Sequence, residues 1–360
     1  MTVVGARAEP ITNSRAARQA EAILDWYDRH ARRMPWRTGP AEKMAGARPD
    51  PYRVWLSEVM LQQTTVATVT PRFEAFLTRW PTVDALAAAP REDVLAEWAG
   101  LGYYARARNL HACAVAVSAE HGGRFPDTED GLRALPGVGA YTAAAVAAIA
   151  FDLPAAVVDG NVERVMARLF AETDHMPGVK LRLAAHAARL TPTERPGDYA
   201  QAVMDLGATI CTPRRPACAL CPWRDDCAAH AAGIAETLPR KTPKKAKPNR
   251  HGTAFALFDQ RGCVATVIRP EKGLLAGMRA LPSTEWAEQA PVATPPAPLG
   301  RATWQNAGSI EHAFTHFHLS LDVMVARARS VPAPMPADKA RETMPTVFVK
   351  ALDRALATQD

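Results

Sequence analysis

The sequence predicts a mainly α chain that closes with a smaller α+β domain. Two periodicities and the break between them carry this reading. Apolar residues recur at helical spacing, punctuated by Gly and Pro turn signals, as far as about residue 235. Near the C-terminus Leu319, Leu321, Val323 and Val325 alternate with His318, Ser320, Asp322 and Met324, the period of a half-buried strand. Between the two halves runs RKTPKKAKPNR, Arg240 to Arg250, with six basic residues and no acid.

Taken in order, the first 14 residues are polar and mildly basic and read as a disordered extension. An amphipathic run from Arg15 ends at Trp26 and Tyr27, and a helix is expected from Tyr52 to Thr70. Shorter runs start near Thr82 and Arg91. Tyr103 to Glu120, Ala140 to Ala150, Val162 to Phe170, Lys180 to Leu190 and Asp198 to Thr209 continue the pattern. Pro71, Pro81, Pro90, Gly100 to Gly102, Pro136 to Gly139 and Pro196 to Gly197 mark the breaks. Beyond the basic stretch, Thr253 to Phe258 and Val264 to Ile268 read as further strands and Val347 to Ala357 as a closing helix. The expected division is an extension over 1–14, a helical domain over 15–235, a linker over 236–250 and an α+β domain over 251–360.

A chain of 360 residues, 48% of them hydrophobic, can bury a sizeable core in two or three domains without disulfide or metal staples. Its longest nearly apolar stretch, Ala140 to Phe151, is too short to cross a bilayer. The N-terminus lacks the apolar core of a secretory signal. A soluble, cytoplasmic, monomeric protein is expected. Lys and Arg number 43 against 37 Asp and Glu, and removing the basic stretch brings the two into balance. The excess thus sits in one segment and points to an anionic partner.

Four of the six cysteines are bunched as Cys211, Cys218, Cys221 and Cys227, spaced C-x6-C-x2-C-x5-C. Reduced thiols at this density bind metal more often than they form disulfides. Four thiolates suffice for zinc or for an iron–sulfur cluster. Zinc sites usually show two short-spaced pairs, and only Cys218 and Cys221 form one here, so the spacing leans toward a four-iron cluster. Cys113 and Cys263 read as small core residues.

This cysteine spacing follows a helical region carrying PWR (Pro35 to Arg37), VWLSEVMLQQT (Val54 to Thr64), GLGYYARARNL (Gly100 to Leu110), LPGVG (Leu135 to Gly139), VDGNVERV (Val158 to Val165) and MDLGATIC (Met204 to Cys211). Over about residues 16–240 the chain resembles the MutY-type adenine DNA glycosylases, a branch of the helix-hairpin-helix glycosylases related to endonuclease III. The resemblance implies a helix-hairpin-helix glycosylase domain with an iron–sulfur cluster loop at 211–227 and a C-terminal Nudix-like domain. It also implies a [4Fe-4S] cluster on the four cysteines, and double-stranded DNA containing adenine mispairs as partner. Thr38 to Asp50 departs from the pattern and looks like an inserted surface loop.

Cutting adenine from deoxyribose needs an acid for the leaving group and a carboxylate for an oxocarbenium-like sugar. Glu58 has Val54, Trp55, Leu61 and Gln62 three and four residues away, an apolar face that should raise its pKa. The alternative is a Glu on a solvated face; the resemblance makes it the acid. Asp159 precedes the helical run from Val162, where an N-cap is the plain reading. By resemblance it stabilises the sugar cation, a role compatible with capping because a helix N-terminus favours the ionised form. One carboxyl is then expected above its usual range and the other below it. Asn161 would help hold the site. Relatives that also nick the backbone carry a nucleophilic lysine two residues after LPGVG. That position is Tyr141 here, and no lysine occurs between Lys43 and Lys180, which argues for a monofunctional glycosylase.

By the same resemblance Gly137, Val138 and Gly139 anchor the DNA backbone through a glycine hairpin, although such turns often merely join two helices. Gln63 and Tyr103 would intercalate, with Thr64 and Leu101 near the opposite base. Trp36 and Arg37 would line the adenine pocket. Arg106 and Arg108 suit phosphate contacts or a solvated face. In the C-terminal half, EHAFTHFHL makes Phe314, Thr315 and His316 candidates for contacting 8-oxoguanine. GLLAGMRALPSTEW, Gly273 to Trp286, matches a Nudix-like fold only loosely and lacks the glutamate-rich helix of a diphosphate hydrolase. Two competing readings are an endonuclease III-like pyrimidine glycosylase with lyase activity and a noncatalytic iron–sulfur DNA-binding protein. Tyr141 and the added domain oppose the first; the two carboxylates oppose the second.

Overall fold

Spacing of apolar residues and placement of caps explain most of the helical half. The computed structural model describes residues 13–242, 246–270, 273–299 and 302–358; the expected N-terminal extension lies outside these apart from its last two residues. Helices span Asn13–His30, Pro51–Met60, Val66–Arg79, Ala105–His121, Ala140–Phe151, Gly160–Leu169, Lys180–Leu190 and Pro196–Thr209, with shorter ones between. One expectation fails usefully. Tyr52 to Thr70 is not one helix, because the chain breaks at 61–65 and restarts under a Thr65 cap that accepts from the Thr68 amide. Pro71, read as a stop, therefore lies inside the second helix. The inserted stretch is not all loop: Pro40–Met44 forms a short helix, and Lys43 pairs with Asp198 at 2.8 Å.

The first core gathers Trp55, Trp98, Phe73 and Phe76, each at most 1% exposed, around the helix Ala140–Phe151. Each such aromatic contributes roughly 1.5–3 kcal/mol by leaving water. The alanines of Ala140–Phe151 let Pro51–Met60 and Pro196–Thr209 approach it closely. A second core joins Ile23, Tyr27, Met166, Leu183 and Trp223. The site described below is built where helices of these two clusters meet.

The chain divides into two compact units, Met1–Pro243 and Lys244–Asp360. The expected linker over 236–250 is shared between them. Leu238 is buried in the first unit, and Arg240–Lys241 pairs in parallel with His175–Met176. Asn249 and Arg250 already belong to a strand of the second unit. That unit has a five-stranded sheet in the order Gln305–Ala313, His318–Arg327, Asn249–Phe258, Cys263–Ala265, Pro334–Pro336. The central pair is parallel and the others antiparallel. The alternation at 318–325 holds: Leu319, Leu321 and Val323 are fully buried, against Phe348 and Leu352 of the helix Thr346–Leu356. From Ala254 to Phe258 the strand Asn249–Phe258 is buried on both faces, Ala254 and Ala256 in one cluster and Phe255 and Leu257 in another, so this half of its sequence is a continuous apolar run. No helix among the described residues is long and apolar enough to cross a membrane.

Candidate active site and cluster loop

Glu58, near the end of Pro51–Met60, is 6% exposed and accepts a hydrogen bond from Tyr141 Oη at 2.6 Å on Oε2. Burial pushes its carboxyl above the usual range; Tyr141 and Arg37 oppose this and Asp159 adds to it. Tyr141, in the first turn of Ala140–Phe151, is held well above the usual phenol range, first by burial and then by Glu58.

The capping reading of Asp159 holds. It caps Gly160–Leu169, its Oδ1 accepting from the amides of Asn161 at 2.9 Å and Val162 at 2.7 Å. Its Oδ2 accepts from Asn161 Nδ2 at 2.9 Å. The expected split between the carboxyls does not follow: Asp159 is also raised, because burial outweighs these hydrogen bonds and Arg164.

Both carboxylates line one open cavity of about 350 Å3, together with Trp36, Arg37, Gln63, Thr64, Tyr141 and Asn161. The sequence reading missed its far wall. Gln201, Met204, Asp205 and Ala208 project into it from one face of Pro196–Thr209, a spacing of three and four that could have found them. Asp205 is fully buried, and its Oδ2 accepts from Arg37 Nη1 at 2.7 Å and from the Arg32 amide at 3.1 Å. Burial alone would push the Arg37 guanidinium down, and Asp205 overrides it. Trp36 is held edge-on against Phe73 at 5.3 Å.

The remaining glycosylase-domain candidates separate by exposure. Gln63 and Tyr103 are exposed and adopt left-handed backbone, φ 56° and 48°. Leu101, by contrast, is 4% exposed; its carbonyl, not its side chain, faces Thr64, at 3.4 Å from Oγ1. In the hairpin the Val138 amide donates to Leu135 O at 3.2 Å, while Gly139 begins Ala140–Phe151 with no side-chain cap. Gly137 has φ 72°, and a Cβ there would come within 2.5 Å of Asn109 Cβ, so only glycine fits.

Cys211, Cys218, Cys221 and Cys227 line a second, small cavity. Four thiols around one cavity are the donor set that a four-iron cluster takes. Burial and the neighbouring thiols push Cys221 up to about 12, and cationic iron would relieve that cost. Arg168, 1% exposed, reaches Cys211 Sγ at 3.2 Å and the carbonyls of Thr212, Pro213 and Leu238. One turn earlier Arg164 donates to Cys211 O at 2.7 Å and to Asn161 Oδ1 at 2.8 Å. A continuous chain of hydrogen bonds therefore joins the cluster loop to Asn161 and Asp159. Gly207 permits it, since a Cβ there would lie 2.6 Å from Asn161 Cβ.

In the second unit Phe314 stacks on Phe317 at 4.8 Å and lies 5.5 Å from Trp286. Thr315 and His316 are exposed at the tip joining Gln305–Ala313 to His318–Arg327. The tip closes through Phe314 N to Phe317 O at 2.9 Å, and Lys247 Nζ donates to Phe314 O at 2.8 Å.

Residues 56–185 match the HhH-GPD superfamily base excision DNA repair protein, residues 211–227 the iron–sulfur binding domain of endonuclease III, and residues 253–354 the NUDIX domain. A solved thermostable thymine-DNA glycosylase superposes with a TM-score of 0.53 at 28% identity, over 61% of this chain and 98% of its own. A non-covalent endonuclease III–DNA complex shares the fold, with a TM-score of 0.50 and 22% identity over 62% of this chain and 99% of its own. Fold and site together define a DNA-binding glycosylase of the helix-hairpin-helix class, a hydrolase of N-glycosyl bonds with a [4Fe-4S] loop and a Nudix-like domain.

The adenine DNA glycosylase of Homo sapiens is 36% identical over 84% of this chain and 65% of its own length. That of Mus musculus is 36% identical over 86% and 71%, and that of Mycolicibacterium smegmatis 40% identical over 69% and 82%. The chain belongs to the adenine DNA glycosylase family of base excision repair.

Proposed function

We propose that the protein excises adenine mispaired with 8-oxoguanine or guanine, hydrolysing the N-glycosidic bond without cutting the backbone. The observation that carries the chemistry is the pairing of Glu58 and Asp159 in one cavity, Glu58 raised by burial and hydrogen-bonded to Tyr141. Glu58 gives its proton to the flipped base, Asp159 faces the developing sugar cation, and water completes the hydrolysis. Trp36 and the Arg37–Asp205 pair wall the base pocket. Gln63 and Tyr103, exposed on left-handed backbone, wedge the gap left by the base. Gly137, Val138, Gly139 and the uncapped start of Ala140–Phe151 take a phosphate.

The exposed Thr315 and His316, set on the Phe314 stack, meet the 8-oxoguanine. Single-turnover excision of adenine opposite 8-oxoguanine, guanine, cytosine and thymine tests this reading. The first two should be cut fastest, and replacing Thr315 and His316 with Ala should narrow the gap between them. Equal rates on all four would remove the lesion-reading role. With Tyr141 in place of a lysine, borohydride should trap no covalent complex; a high yield of one would overturn the monofunctional assignment.

A further inference from the structure

The two wedge candidates stand on different parts of the chain, yet a single side chain ties their loops together. Gln63 lies in the break between Pro51–Met60 and Val66–Arg79, and Tyr103 just before Ala105–His121. Both are exposed and both hold positive φ, a conformation that a non-glycine residue keeps only when its surroundings enforce it. Those surroundings converge on Arg106.

Arg106 Nη1 donates to Val59 O and Met60 O, each at 2.9 Å. These carbonyls end the helix of Glu58 and have no partner further along it. Its Nη2 donates to Leu101 O at 2.8 Å, Gly102 O at 3.2 Å and Thr64 Oγ1 at 3.2 Å. The guanidinium lies 5.2 Å from the Trp98 ring centroid and 5.6 Å from that of Tyr103, and Trp98 Nε1 donates to Gly102 O at 2.9 Å. Five acceptors, two from the Glu58 helix end, one from the Gln63 loop and two from the Tyr103 loop, thus meet one planar fork. The two terminal nitrogens carry four N–H groups, so one is shared between two of the five acceptors, and Nε takes no part; a lysine ammonium, with three donors at one point, cannot reach all five. The phosphate contact read from the sequence is displaced, because these donors are already committed within the protein.

We propose that Arg106 is a positioning residue for base extrusion: it locks the Gln63 loop to the Tyr103 loop, so that both side chains enter the duplex as one rigid wedge. The proposal rests on the reading of Gln63 and Tyr103 as wedge residues. A duplex resists unstacking, and a wedge whose halves can slide apart yields instead of opening it. The same guanidinium ties the wedge to the end of the helix that carries Glu58, so extrusion delivers the base to the acid in one register.

The test uses the cluster-bearing full chain with Arg106→Gln and Arg106→Lys, each checked for visible cluster absorbance and far-ultraviolet circular dichroism. Single-turnover excision is compared on a well-stacked duplex and on one whose flanking pairs are mismatched. Arg106→Gln should slow the stacked duplex by about tenfold or more, recover most of the rate on the mismatched one, and keep the wild-type pH profile, with Arg106→Lys between. A fluorescent adenine analogue at the target should report slower extrusion. Equal losses on both duplexes, or a moved pH profile, would overturn the proposal. So would an unchanged rate with a shallower salt dependence of binding, the mark of a phosphate contact. If the fold is lost in both variants, Thr64→Val removes one of the five acceptors and should give the same pattern at smaller size; wild-type behaviour there would count against the clamp. Gln63→Ala and Tyr103→Ala separate the two failures. If neither slows extrusion, the wedge reading fails; if both do and Arg106→Gln does not, only the clamp fails.

Discussion

Tyr141 Oη donates to Glu58 Oε2 at 2.6 Å, so the residue standing at the lysine position of lyase relatives is the hydrogen-bond partner of the proposed acid. An O–H donor favours the carboxylate, and its removal leaves burial to raise Glu58 further. Tyr141→Phe should therefore move the alkaline limb of the single-turnover rate–pH profile to higher pH. The neutral rate should stay within about tenfold, the scale of one hydrogen bond. An unmoved or lowered alkaline limb would contradict this.

Removing the proposed acid, Glu58, separates activity from stability. Glu58→Gln should lower single-turnover excision by about 10²–10⁴-fold while DNA binding persists. Its folded-state pKa lies above the unfolded one, so ionising Glu58 costs stability as pH rises. Wild type and variant should melt together below the unfolded Glu range. The variant should gain in Tm as pH climbs through the folded value. A wild type more stable than the variant at neutral pH would contradict the sign.

Asp159 caps Gly160–Leu169 and is proposed to face the sugar cation, and two substitutions pull the two roles apart. Asparagine still accepts from the Asn161 and Val162 amides but carries no charge. Asp159→Asn should keep stability within about 1 kcal/mol of wild type and lose most excision. Asp159→Ala should lose excision and also about 1 kcal/mol of stability. Thermal melts beside single-turnover assays distinguish them.

The Arg37–Asp205 pair is buried, and breaking it leaves a charge without a partner. Asp205→Asn should cost about 3–5 kcal/mol in chemical denaturation, far more than an exposed ion pair such as Arg29–Asp25. A loss below about 1 kcal/mol would show that the guanidinium finds other partners.

The basic stretch between the two units is partly committed. Lys247 holds Phe314 O, and Arg250 lies 4.6 Å over the Phe317 ring. Lys244 and Lys245 fall outside the described residues. Replacing those two with Gln should weaken DNA binding evenly across sequences and reduce the salt slope by about 1 per lysine, leaving the excised base unchanged. A change in mispair preference would place the lysines in base recognition instead.

The purified protein should be brown and carry about four iron atoms and four acid-labile sulfides per chain, read by metal and sulfide analysis. Zinc in their place would overturn the cluster assignment.

By itself the sequence determines what depends on neighbours along the chain. Helical spacing, the Asp159 cap, the alternation at Leu319 to Val325 and the four-cysteine spacing are local patterns, and each is readable because period and chemistry coincide within a few residues. The break at 61–65 is not of that kind, because the apolar spacing runs across it; Arg106, more than 40 residues away, holds its far side. Nor is the strand Gln305–Ala313, whose sparse apolar residues gain order from pairing with His318–Arg327. The far wall of the Glu58 cavity, the Arg37–Asp205 pair and the line from Cys211 through Arg164 to Asp159 likewise join distant segments. Only the tertiary structure decides these, and the direction of the Asp159 shift with them, because burial is a property of the packed fold and not of the chain around the residue.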